Sequence, residues 1–132
     1  MQESRAVLER MGRKTLMTGA VLAGVGVLLG AFGAHALETR VTRESLEIWK
    51  TGVLYQLIHA LAMLAVGLLR RRSAATELRV AATLFGAGIA LFSGSLYLLA
   101  FAGDRWIALL TPMGGVLLLA GWVALAAGVW RG

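Results

Sequence analysis

Residues 15–37 read TLMTGAVLAGVGVLLGAFGAHAL, an apolar run without any Asp, Glu, Lys or Arg. As an α-helix this run would measure about 34 Å, which is enough to cross the hydrocarbon core of a bilayer. A cleaved signal peptide has a shorter apolar region of about 7 to 15 residues. We therefore expect residues 15–37 to stay in the protein as a membrane-spanning helix.

Three further apolar runs follow, and each is long enough to span a membrane. They cover residues 51–69, 78–102 and 111–130. Of the 132 residues, 58% are hydrophobic and only 15% are charged, and the mean hydropathy is +0.76. A soluble domain of this size cannot bury so much apolar surface, and a disordered chain would contain much less of it. The sequence predicts an all-α polytopic membrane protein with a single domain, a bundle of four transmembrane helices.

The polar segment between the first two runs is long enough to hold structure of its own. Thr42 is a residue type that caps the N-terminus of a helix, and the apolar side chains that follow it fall on one helical face. We expect an amphipathic helix over residues 42–50 at the outer interface, anchored by Trp49, with a bend near Gly52. Residues 103–110 are expected to form the last outer loop, with Pro112 in the first turn of the fourth helix.

The basic residues lie between the apolar runs. If the N-terminus is cytoplasmic, nine of the 13 Lys and Arg residues fall in inner segments and four in outer ones. This bias predicts a multi-pass protein of the bacterial inner membrane with both termini in the cytoplasm. The net charge is +6, but no basic stripe is interleaved with aromatic residues, so we expect no nucleic-acid partner. The expected partners are membrane lipids and a second copy of the chain or a larger membrane complex.

Small residues recur at helical spacing in three of the four runs. Transmembrane helices associate by close backbone approach, which such stripes allow. We expect the stripes to pack within one chain, and dimerisation is the alternative. They consist of Gly19, Ala23, Gly26, Gly30 and Ala34 in the first run, Ala82, Gly86, Ala90 and Gly94 in the third, and Gly114, Gly121 and Gly128 in the fourth.

A small set of polar residues lies inside the apolar runs, where polar groups are costly and are candidates for function. We expect these residues to form one cluster in the outer half of the bundle. The candidate site consists of His35, Tyr55, Gln56, His59, Ser93, Ser95 and Tyr97.

The favoured interpretation of this cluster is structural, with no cofactor and no metal, and three alternatives stay open. His35 and His59 would hold haem if their rings were opposed, although the rise per residue puts them about one turn apart in depth. His59 and Tyr55 would instead donate to a quinone or a lipid headgroup. A membrane enzyme would use His59 as a general base with Tyr55 or Ser93 as its partner, but no acid in the apolar runs can orient the histidine. The chain has no cysteine, which excludes thiolate metal sites and Cys nucleophiles.

Four motifs contain this cluster. They are GAFGAHAL at residues 30–37, WKTGVLYQLIHAL at 49–61, LFSGSLY at 91–97, and TPMGG at 111–115 followed by Gly121 and Trp122. These motifs resemble those of the YgdD-like family of small, uncharacterised bacterial inner-membrane proteins, which has relatives in mitochondria. The resemblance implies a four-helix inner-membrane protein and no known activity. The sequence thus predicts an integral membrane protein with a structural or accessory role.

Overall fold

A computed structural model of the protein describes residues 1–131. Over these residues the chain forms four long helices and no strand. The helices are α1 (Gln2–Phe32), which continues as a π-helical turn (Gly33–Leu37), α2 (Arg43–Arg70), α3 (Thr76–Ala102) and α4 (Arg105–Arg131). Each is long and apolar enough to cross a membrane, and the four predicted spans lie within them. The all-α, four-span architecture is confirmed.

The helices pack in chain order, α1 on α2, α2 on α3 and α3 on α4. The central pair is the most enclosed. In the most apolar 18-residue stretch of each helix, 50% of the residues of α2 and 39% of those of α3 are buried, but only 17% of those of α1 and of α4. Since most of α1 and α4 faces outward with apolar side chains, these two helices provide much of the surface that contacts lipid.

Glycines of α1 let it lie directly on the antiparallel α2. A Cβ added at Gly26 would lie 2.8 Å from Cδ2 of Leu57, and one at Gly19 would lie 3.0 Å from the carbonyl oxygen of Ala60. Contacts this close leave no room for a side chain, so the stripe of α1 is used within the chain as expected.

The glycines of α4 receive large side chains of α3. Added Cβ atoms at three of the four glycines of α4, Gly114, Gly121 and Gly128, would clash with their neighbours on α3. The contacts repeat at seven-residue spacing on both helices, with Phe92 against Gly114, Phe85 against Gly121 and Leu78 against Gly128. The predicted stripe of α4 therefore packs within the chain. The stripe of α3 largely does not, because Gly94 has nothing within 4 Å and Gly86 meets only a methyl group of Met63 at 3.9 Å.

The segment predicted as a separate interfacial helix is instead the start of α2. Thr42 does cap the helix, with its hydroxyl accepting from the N–H of Ser45 at 3.1 Å. The helix then continues without a break through Gly52, where the missing side chain makes room for the ring of Tyr97, 2.8 Å from an ideal Cβ. Trp49, expected as an anchor at the membrane interface, is only 4% exposed and lies inside the bundle. The cause of this difference is packing: Trp49 lies against Gly33, so residues 43–50 run alongside α1 and not along the membrane surface.

The last predicted loop is also shorter than expected. Gly103 adopts a left-handed conformation (φ 59°) and ends α3, and Asp104 accepts from the N–H of Trp106 at 3.4 Å. A helix therefore begins at Arg105, and Pro112 lies inside α4 instead of in its first turn. Since proline has no N–H, the carbonyl of Ala108 lacks its usual donor within the helix.

Candidate functional site

His59 lies on the inward face of α2 and is 5% exposed. Its Nδ1 is 2.7 Å from the carbonyl oxygen of Tyr55, and its Nε2 is 3.0 Å from the indole nitrogen of Trp122 on α4. A carbonyl only accepts and an indole N–H only donates, so Nδ1 carries the proton and Nε2 is the acceptor. His59 is therefore a neutral imidazole whose two nitrogens are both used inside the protein.

Aromatic rings surround the His59 imidazole. Tyr55 stacks on it with ring centroids 5.8 Å apart, and Phe85 and Trp122 approach at 5.7 and 5.9 Å. Phe85 in turn meets Trp122 edge-on at 5.2 Å. The imidazole thus lies in a contact between α2, α3 and α4 that is apolar except for its own two hydrogen bonds.

Gln56 joins three helices. Its Nε2 donates to the carbonyl of Leu22 on α1 at 2.8 Å, and its Oε1 accepts from the hydroxyl of Tyr97 on α3 at 2.8 Å. Gln56 itself is 3% exposed. Because a buried amide without partners would be costly, these bonds fix the positions of α1 and α3 relative to α2.

The two serines of α3 bond to different neighbours. Ser93 is 1% exposed and donates to the carbonyl of Gly52 on α2 at 2.7 Å. Ser95 donates to the carbonyl of Phe92 at 2.8 Å and lies 2.7 Å from the hydroxyl of Thr111 on α4. One hydroxyl therefore ties α3 to α2 and the other ties α3 to α4.

The outer end of α1 is shaped by Trp49. The indole N–H donates to the carbonyl of Leu29 at 2.8 Å, and the ring lies against Gly33, where an added Cβ would be 2.7 Å from Cδ1. The N–H of Gly33 shares that carbonyl. A side-chain donor inserted into the hydrogen-bond ladder of a helix is a recognised cause of local distortion, and the π-helical turn begins at this point.

His35 lies in the π-helical turn and is exposed, and its imidazole makes no hydrogen bond within residues 1–131. Gly33, two residues before His35, lies at the same depth as Trp49 of α2. His59 follows Trp49 by ten residues, which is about 15 Å of helix, so it lies much deeper than His35. The expected depth difference of one turn is therefore wrong. It assumed that residues 43–50 lay at the surface, whereas they run beside α1 and carry His59 deeper.

The structure thus brings together six of the seven predicted site residues in the α2–α3 core or beside it, and leaves out His35. Tyr55 is 38% exposed and contributes its ring, which lies 4.5 Å from that of Phe92. The imidazoles of His35 and His59 are not opposed, so they do not form the pair of haem ligands that this alternative required. Over the described part of the chain, no group of three metal-binding side chains is present and every buried side-chain nitrogen or oxygen has a hydrogen-bond partner.

Trp122 is the residue of this site that was not predicted. It lies near the middle of the fourth apolar run, residues 111–130, away from both ends. An indole N–H inside a membrane span needs an acceptor, and His59 in the second apolar run offers one. That requirement is the signal that would have paired the two residues.

The comparisons with known proteins agree with the resemblance noted from the motifs. The model of the family described as "Protein of unknown function (DUF423)" matches residues 29–115, a range that includes all seven predicted site residues. A UPF0382 membrane protein of Staphylococcus saprophyticus is 40% identical over 116 residues, covering 88% of this chain and 96% of its own.

Two further relatives extend the match to other bacteria. The UPF0382 membrane protein YwdK of Bacillus subtilis is 40% identical over 109 residues, with 82% of this chain and 89% of its own covered. The UPF0382 inner membrane protein YgdD of Escherichia coli K12 is 37% identical over 119 residues, with 90% and 91% covered. No solved structure matches the chain.

Proposed function

This chain belongs to the DUF423 family, and for this integral membrane protein we propose a structural or accessory role in the bacterial inner membrane. The observation that carries the proposal is the state of His59, whose two ring nitrogens are bonded to Tyr55 and Trp122. A general base or a metal ligand needs a free lone pair directed at its target. In His59 that lone pair accepts from Trp122.

The other polar side chains support the same role. Gln56, Ser93 and Tyr97 bond to backbone carbonyls or to each other, and each bond joins two different helices. Hydrogen bonds between transmembrane helices each contribute about 0.6 to 2 kcal/mol. The cluster therefore serves to hold α1, α3 and α4 in register on α2.

The inner-membrane location is part of the proposal, and so is the orientation with both termini in the cytoplasm. The name of the relative from E. coli supports the location, and the excess of basic residues in the inner segments supports the orientation. Partners belong to the proposal as well: membrane lipids, and a second copy of the chain or a larger membrane complex that covers the exposed apolar faces of α1 and α4.

The test distinguishes a structural role of the polar cluster from a ligand-binding role. We would purify the wild type and the Trp122→Phe variant in mild detergent and record absorption spectra and native mass spectra. A structural role predicts that neither protein shows a Soret band after growth with added haem and that both retain the same bound small molecules. It also predicts that the variant unfolds at a lower temperature than the wild type. A haem or quinone that is bound by the wild type and lost from the variant would overturn the proposal.

A further inference from the structure

Three cavities adjoin one another at the end of the bundle where α2 is followed by α3. Their volumes are about 460, 390 and 410 Å³, within the range of small-ligand sites. Glu9 and Arg71 line all three, so the cavities are neighbours that share these two walls, and we call the three together the arginine groove. It lies far from the His59 cluster and takes no part in the proposed bracing.

The groove exists because α1 is longer than its neighbour. Gly12 lies against Gly67 and Arg71 at the end of α2, so the residues before Gly12 extend beyond the bundle as free-standing helix. The missing side chain at Gly12 allows the stem of Arg71 to cross α1 at this point. The extension of α1 thus forms one wall of the groove and residues 68–72 form the other.

The charge of the groove is strongly positive. Its walls carry one carboxylate, Glu9, and five guanidinium groups, those of Arg5, Arg10, Arg13, Arg71 and Arg72. In the part of the chain that the structure describes, the salt bridges and side-chain hydrogen bonds involve none of these five guanidinium groups. An anion entering the groove would therefore meet five cations and one carboxylate, and none of these cations forms a salt bridge within residues 1–131.

Apolar side chains adjoin these cations. Leu68 and Leu69, the last leucines of α2, line the largest of the three cavities with Arg71 and Arg72, and are 57% and 37% exposed. Leu16 lines a second cavity beside Arg10 and Arg13. Because Arg70 ends the membrane-spanning helix α2, the groove lies at the level of the lipid headgroups, with its leucines toward the acyl chains.

From this arrangement we infer that the arginine groove is a binding site for an anionic phospholipid. The phosphate lies between the guanidinium groups, and the part of the acyl chains nearest the headgroup contacts the leucines. Arginine pairs with phosphate oxygens through two parallel hydrogen bonds, and basic pockets beside transmembrane helices bind anionic headgroups. A zwitterionic lipid is disfavoured because its ammonium group would bring a positive charge among the arginines.

The experiment measures lipid binding to the purified full chain by native mass spectrometry. Phosphatidylglycerol and phosphatidylcholine with identical acyl chains are titrated separately. The Arg10→Gln/Arg72→Gln variant removes two groove charges without touching the contact of Gly12 with α2. The Arg40→Gln/Arg43→Gln variant removes the same charge at the other end of the bundle.

Each arginine near the surface contributes about fivefold to the affinity for an anionic lipid, so we expect the wild type to bind phosphatidylglycerol at least about twentyfold more tightly than phosphatidylcholine. The groove variant should lose roughly twentyfold of its affinity for phosphatidylglycerol, and the control less than about twofold. Equal affinity of the wild type for the two lipids, or equal losses in the two variants, would overturn the inference.

Two further measurements keep the result interpretable. Unchanged elution and thermal unfolding of the variants show that a loss of binding is not a loss of fold. Millimolar inorganic phosphate is added as a competitor that has no acyl chain. Lipid that stays bound under these conditions supports the lipid site, whereas displacement by phosphate alone would show a site for soluble anions and overturn the inference.

Discussion

His59 is held by two hydrogen bonds whose directions determine its protonation state, and Gln56 is held by bonds to two other helices. At the scale of single residues, every buried side-chain nitrogen or oxygen within residues 1–131 has a hydrogen-bond partner. This is the arrangement expected where water is absent, because an unpaired amide or imidazole would destabilise the fold.

The first prediction concerns the bond between Trp122 and His59. Trp122→Phe keeps an aromatic ring but removes the donor to Nε2, so we expect the free energy of unfolding to fall by about 1 kcal/mol. Unfolding in mixed detergent micelles measures this value. Trp106→Phe is the matched control, because Trp106 is 77% exposed and its indole makes no hydrogen bond within residues 1–131. Equal effects of the two substitutions would contradict the prediction.

The second prediction concerns the pair formed by Gln56 and Tyr97. Gln56→Leu and Tyr97→Phe each remove one partner of the same 2.8 Å hydrogen bond. In a double-mutant cycle, the two changes should therefore couple by about 0.6 to 1.7 kcal/mol, with the double variant more stable than the sum of the single effects implies. Additive effects would mean that the two side chains do not interact.

The helices are set at their distances by glycines. On α4, three glycines at seven-residue spacing receive Phe92, Phe85 and Leu78 of α3. At the scale of the elements, this interlocking replaces the hydrophobic effect, which does not hold helices together in lipid. The fit of large side chains into glycine notches also explains why α3 and α4 pack tightly although their polar contacts are few.

The third prediction tests this packing. A Cβ at Gly114 would lie 2.7 Å from Cα of Phe92, so Gly114→Ala must push α4 away from the backbone of α3. We expect a loss of stability of about 1 to 3 kcal/mol, measured by unfolding in detergent. Gly94→Ala is the control on α3. Gly94 has open space around it, and alanine should leave stability unchanged or raise it by up to about 1 kcal/mol. A stable Gly114→Ala protein would show that the α3–α4 contact is looser than described.

At the scale of the whole molecule, α2 and α3 form the enclosed centre, while α1 and α4 present most of their length outward. The two ends of the bundle differ in charge and shape. One end has short turns, and the other has the extension of α1, the arginine groove and an ion pair between Arg131 and Glu77. Such asymmetry favours one orientation in the membrane.

The fourth prediction concerns that orientation. Because the natural chain has no cysteine, a single one can be introduced and labelled with a reagent that does not cross membranes. Thr39→Cys lies in the turn before α2 and should react in intact spheroplasts. Ala74→Cys, between α2 and α3, should react only after the membrane is permeabilised. Labelling in the reverse pattern would invert the proposed topology, and labelling of both positions in intact cells would mean a mixed orientation.

The sequence by itself determined the number of membrane-spanning helices, the cap at Thr42 and the glycine faces of α1 and α4. These features depend on local hydropathy, helix length and residue spacing, which a single chain segment contains.

Only the tertiary structure decided how deep each polar residue lies and which residues meet. Trp49 packs on Gly33, so residues 43–50 lie beside α1 and His59 lies deeper than His35. At that depth His59 accepts a hydrogen bond from Trp122, which is 63 positions away in the chain. The axial register of two apolar helices depends on how their side chains fit each other, and hydropathy and spacing within one helix do not specify that fit.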